Sequence, residues 1–168
     1  TSPDLLWTPG LWTPGLWTPG YARLGALLTP VECVELRGLY DDASLFRSRI
    51  DMARYRFGRG EYQYFADPLP EPVRSLRERL YAQLAPVATQ WMAALSLETT
   101  YPPELATFLE TCHQAGQLRP TPLMLRYREG DFNCLHQDLY GKVVFPFQVV
   151  VGLSAPGTEY QGGELLLV

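Results

Sequence analysis

His136 and Asp138 are separated by one residue, Gln137. On a β-strand, residues two apart project from the same side, so this spacing sets an imidazole and a carboxylate side by side, facing inward. Such a pair supplies two of the three protein ligands of a 2-His-1-carboxylate facial triad. That triad leaves adjacent open positions on Fe(II), where a bidentate keto acid and dioxygen can bind together. A solvated pair at a strand end is the plainer alternative. Cys134 falls two residues earlier and on the same side. It reads as a small core residue, because an oxygen-rich Fe(II) site has no need of a thiolate. His113, the other histidine, falls on an expected helix ahead of this strand and reads as a capping or core residue.

A second chemistry-bearing stretch lies at 46–65, where Arg47, Arg49, Arg54, Arg56 and Arg59 alternate with Phe46, Tyr55, Phe57, Tyr62, Tyr64 and Phe65. Only Asp51 and Glu61 oppose that positive charge. Aromatic rings interleaved with guanidinium groups can stack bases and grip phosphates, which makes Arg54, Arg56 and Arg59 candidate substrate contacts. The alternative is an amphipathic hairpin whose rings face the core. Solvent-facing arginines would favour a nucleic acid, and buried ones a protein substrate.

The elements that must position these groups follow from local signals. Thr29-Pro30-Val31-Glu32 is a capping box with proline at the first helical position, predicting a helix to about Tyr40. Gly58-Arg59-Gly60 suits the turn of a β-hairpin over 46–65. Val73, Leu76, Leu80 and Leu84 recur at helical spacing. Pro86 divides them from a second helix carrying Val87, Trp91 and Leu95. Pro102-Pro103 is expected to start another helix, with Leu105, Leu109 and Cys112 on one face and Gly116 as its stop. Strand patterns follow at 122–128, 132–138, 145–153 and 163–168. Helices first and strands second imply an α+β fold, with helices buttressing one face of an antiparallel sheet.

Tyr127, the Gly130 turn and His136-x-Asp138, followed by Gly162-Gly163-Glu164, together resemble the Fe(II)- and 2-oxoglutarate-dependent oxygenases. The likeness is to the alkylation-repair (AlkB-like) and prolyl-hydroxylase-like branches and covers roughly residues 120–168 by motif. The resemblance implies a double-stranded β-helix (jelly-roll) core, incomplete here, with N-terminal helices packed against it. It implies helical support over about 21–118 and jelly-roll strands over about 121–168. His136 and Asp138 would ligate Fe(II), and Tyr127 would hydrogen-bond 2-oxoglutarate. AlkB-like proteins carry Asn two residues before that Tyr, where this chain has Leu125. The family's second iron-binding His and its Arg for the distal carboxylate lie further downstream and have no match here. The implied activity is a dioxygenase, with oxidative demethylation of alkylated nucleic-acid bases as the leading substrate class. A protein side-chain hydroxylase is its rival, and a non-catalytic jelly-roll binding module lies outside the enzyme class.

Bulk properties set the frame. The 168 residues suffice for one domain with a core, and 46% hydrophobic against 19% charged residues argues against general disorder. A net charge of −4 excludes a basic surface overall and leaves room only for a local patch. Cys33, Cys112 and Cys134 are odd in number and widely spaced, which predicts reduced thiols rather than a disulfide framework. No apolar run spans a bilayer, so a cytoplasmic protein without a membrane partner is expected. Residues 1–20 form a low-complexity segment containing three Leu-Trp-Thr-Pro-Gly copies, to which no helix or strand period applies. The chain begins at Thr1 and stops in Leu165-Leu166-Leu167-Val168, which reads as a buried strand, so a fragment of a longer protein is expected.

Overall fold

Thr29 opens the first helix, α1 (Pro30–Gly38), in a computed structural model that describes residues 20–138 and 140–167. Its hydroxyl accepts from the Glu32 amide at 3.3 Å, and the Glu32 carboxylate accepts from the Thr29 amide at 2.7 Å. The expected capping box thus satisfies two amides that a helix start leaves open. A 3-10 turn at Leu39–Asp41 buries Tyr40, and another at Ala43–Leu45 delivers the chain to β1 (Phe46–Asp51).

β1 runs antiparallel to β3 (Glu61–Phe65), with Ser48 opposite Tyr64 and Ile50 opposite Tyr62. β3 pairs in turn with β4 (Leu123–Arg126), giving the sheet order β1-β3-β4. The pairing expected across 46–65 is therefore present, but its connection is longer than a turn. A single helical turn, α2 (Met52–Tyr55), follows β1, and Arg56 takes a φ of 60°. β2 (Gly58–Arg59) then leaves the sheet to pair with β5 (Phe132–Asn133). Met52, wholly buried, anchors α2. One sheet face carries buried Gln63 and Phe65, with Gln63 Nε2 donating to the Tyr40 carbonyl at 2.8 Å. The opposite face carries half-buried Tyr62, Tyr64 and Leu123, and the Arg47 guanidinium lies 4.3 Å over the Tyr64 ring.

Pro86 does not divide two helices: α3 runs unbroken from Glu71 to Ala94. A proline inside a helix costs about 3 kcal/mol. Here Tyr81, Leu84, Ala85, Val87 and Ala88 are all buried around it. Large apolar side chains contribute about 1.5–3 kcal/mol each on burial, enough to hold the helix together through the proline. Tyr101, Leu105, Phe108, Phe145 and Phe147 pack against this helix and form the core. Helix α4 (Leu105–Gln114) begins three residues later than Pro102 and ends where expected. Gly116, at φ 83°, donates to His113 O, and Gln117 donates to Cys112 O, each at 2.9 Å. These are the two bonds of a Schellman end.

Of the four late strands expected, only parts of the first two are laddered, as β4 and β5. Phe145, Phe147 and Val149 keep their alternation and pack on α3. Their backbone is held from upstream by side chains instead. Gln117 Oε1 accepts from the Lys142 and Val143 amides at 2.9 and 2.8 Å, and Tyr101 Oη donates to Val144 O at 2.7 Å. Alternation sets which side faces the core, but a ladder also needs a partner strand, and none pairs with 145–152 among the described residues. Leu165, Leu166 and Leu167 are exposed rather than buried. The result is a mixed α/β fold with small antiparallel sheets. The Leu-Trp-Thr-Pro-Gly segment, up to residue 19, and Val168 lie outside the described residues. No described helix is long and apolar enough to cross a membrane.

Candidate metal and substrate site

The segment that carries His136 and Asp138 is placed by β2. Gly58 pairs with Asn133 and Arg59 with Phe132, and the Cys134 amide donates to Phe57 O at 2.7 Å. Gly58 has a φ of 132°, and a Cβ built there would overlap the Phe132 carbonyl oxygen and lie 2.9 Å from Asn133 Cα. Only glycine permits this approach of two backbones. The preceding loop closes as a turn over 128–131, with Gly130 at φ 76° and the Asp131 amide donating to Arg128 O at 2.9 Å. Asp131 ties the turn down, accepting from the Arg128 amide at 2.8 Å and from Arg59 Nε at 3.1 Å.

Past β5 the chain is no longer a strand, contrary to the pattern over 132–138, yet the two side chains still meet. His136 Nε2 stands 3.5 Å from Asp138 Oδ2. His136 Nδ1 lies 2.7 Å from Cys134 O. A carbonyl can only accept, so Nδ1 is the donor in this bond, and Nε2 is the nitrogen that faces Asp138. Asp138 Oδ2 accepts from Gln148 Nε2 at 2.9 Å, which orients the carboxylate and leaves Oδ1 available. Both side chains are somewhat less than half exposed. Cys134 is exposed rather than a core residue, and its Sγ lies 3.9 Å from Arg56 O.

This donor set fits a divalent metal as two of its ligands. Cis donors about 2.1 Å from one ion stand about 3 Å apart, close to the separation found. No group of three His, Cys, Asp or Glu able to hold a metal occurs among the described residues. His113 sits exposed in the last turn of α4.

For Tyr127, expected to contact the keto acid, burial is the main cause that raises the pKa above the ordinary tyrosine value, with the Asn133 side chain opposing the shift and Asp131 adding to it. Its ring lies against Gly60, where an added Cβ would come within 3.0 Å of Tyr127 Cδ1. Tyr62 and Tyr64, whose rings meet edge to face with centroids 5.5 Å apart, both feel the charge of Asp138. Burial raises the pKa of Tyr62, and the nearby charges of Tyr64, Tyr140, Asp138 and Tyr55 raise it further. Burial likewise raises Tyr64, helped by Asp138 and Tyr140 and opposed by Arg47.

The arginines of 46–59 all face solvent. Arg54 and Arg56 make no ion pair among the described residues, whereas Arg59 is committed to Asp131 and the Gly130 carbonyl. Between them Tyr55 and Phe57 stack, with ring centroids 5.9 Å apart and planes 19° from parallel, and both rings are about half exposed. Sequence reasoning missed Gln148. Gln148 had a readable signal, being the single polar residue in Phe145–Val151 and out of phase with its core-facing positions.

Comparison with known proteins identifies the family. Residues 60–168 match the family Oxygenase-NA, described as an oxygenase catalysing oxidative methylation of damaged DNA. The match covers more than half of the chain, and the chain belongs to this oxygenase family. It is also 51% identical over 104 residues to an uncharacterized protein of Mycobacterium tuberculosis, in both the CDC 1551 and the H37Rv strain. That alignment covers 62% of this chain and 45% of each relative, so the chain spans about half the length of the curated relatives it matches. No solved structure matches.

Proposed function

We propose that the protein is an Fe(II)- and 2-oxoglutarate-dependent dioxygenase that oxidatively demethylates alkylated bases in nucleic acid. The observation that carries this reading is the His136–Asp138 pair, with Nδ1 bonded to a carbonyl and Nε2 facing the carboxylate, in a member of an oxygenase family described as acting on damaged DNA. His136 Nε2 and Asp138 would hold the metal, and Tyr127 would hydrogen-bond the keto acid. Bound iron and keto acid supply the oxidising power to hydroxylate a C–H bond. The third ligand and the cation for the keto acid's distal carboxylate would come from outside the described residues, on the later strands of a completed jelly roll. A buried carboxylate without such a cation would be left desolvated and unpaired.

The solvent-facing arginines favour a nucleic-acid substrate over a protein side chain. The exposed, stacked rings of Tyr55 and Phe57 offer apolar faces on which an unstacked base can rest. Iron-dependent succinate formation from 2-oxoglutarate by the full-length protein tests the reading. His136→Ala should abolish it. Unchanged turnover in that variant would rule out ligation by His136.

A further inference from the structure

A cleft of about 550 Å³ opens between β1, α2 and the 128–131 turn. Its wall holds carboxylates as well as arginines, so its effective charge depends on which groups are already paired. Asp51 caps α2 by accepting from the Ala53 amide at 3.0 Å. Glu61 lies between Arg49 and Arg126 and is hydrogen-bonded to both. Asp131 is held by Arg59 and by the Arg128 amide. Every carboxylate is thus engaged, and Arg49 and Arg126 are neutralised within the wall. Arg54 and Arg128 remain, both exposed and lining the same cleft, with no ion pair among the described residues.

We propose that this cleft is a phosphodiester-binding site in which Arg54 and Arg128 grip the backbone of a nucleic-acid strand. The inference rests on the substrate class proposed above and adds to it a place for the strand. Two guanidinium groups lining one cleft offer planar donor forks that match phosphate oxygens. The cleft, at about 550 Å³, is roomier than a lone inorganic anion requires. Tyr55 ties it to the rest of the surface. Its residue lines the cleft and its ring stacks on Phe57. A phosphate in the cleft would leave a neighbouring base free to rest on these two exposed aromatic rings. The 128–131 turn gains a role by this reading: Asp131 and Gly130 fix the backbone from which Arg128 projects.

The test is binding of a fluorescein-labelled single-stranded oligothymidylate to the full-length protein, without iron, by anisotropy over a series of NaCl concentrations. Each phosphate contact to a single strand contributes about −0.7 to the slope of log K against log salt. Arg54→Gln/Arg128→Gln should therefore flatten the slope by about 1.4 and weaken binding on the order of tenfold at low salt. Arg74→Gln/Arg79→Gln, which removes the same charge from exposed positions on α3, should leave the slope unchanged. Neither Arg54 nor Arg128 holds an internal ion pair, so the parent's thermal midpoint should persist and serve as the folding control. Equal slopes in the parent and the Arg54/Arg128 variant would overturn the cleft alone, leaving the oxygenase reading to the succinate measurement. An absence of binding by the parent would overturn the cleft and the nucleic-acid reading together.

Discussion

At His136 the proton on Nδ1 is engaged by a carbonyl two residues upstream, and at Asp138 one oxygen is engaged by Gln148, so each donor is oriented by a partner that is not itself a ligand. Partners of this kind change metal affinity by about 10–100-fold when removed. Gln148→Ala should weaken Co(II) binding to the full-length protein within that range, read by visible absorption, while leaving the thermal midpoint of the apoprotein nearly unmoved. Affinity equal to the parent's would show that Asp138 does not depend on Gln148. The spacing of His136 and Asp138 keeps the two side chains within reach of each other, although the strand expected to align them ends at Asn133. Gln148 lies ten residues on, in a different segment, and only the path of the chain brings it back. Cys134 shows the reverse. Strand alternation placed it inward, but the strand ends at Asn133, and the rule stops with it.

The elements divide along the same line. α1 and the end of α4 were readable because a capping box and a Schellman glycine act within a few residues. The unbroken α3 was not, since the burial that carries Pro86 comes from residues far along the chain. The β2–β5 contact was also invisible beforehand: it is two residues long, and what permits it is the missing side chain of Gly58. Gly58→Ala should cost about 1–3 kcal/mol, from the strained φ and the overlap with Phe132 O. It should also weaken metal binding, because Phe57 O and β2 hold the strand that leads into His136. A urea midpoint and a Co(II) titration on one sample check both. Lost stability with unaltered metal affinity would show that 134–138 is positioned by something other than β2.

Across the whole molecule, charge and packing are distributed unevenly. In a chain of net charge −4, Arg54 and Arg128 line one cleft without an ion pair among the described residues, while the core gathers around α3. The segment 145–152 shows a second unevenness, since its side chains enter the core while its backbone groups join no ladder among the described residues. Burial and protection against solvent exchange are thereby separated. Amide deuteration of this 168-residue chain should be fast from Phe147 to Gly152, although Phe147 and Val149 pack on α3, and slow along β3, which is paired on both sides. Mass spectrometry of peptides from the two regions reads the contrast directly, and equal protection would mean that the 145–152 backbone is bonded after all. In the full-length protein, slowed exchange over those residues would mean that their backbone groups find a pairing partner there.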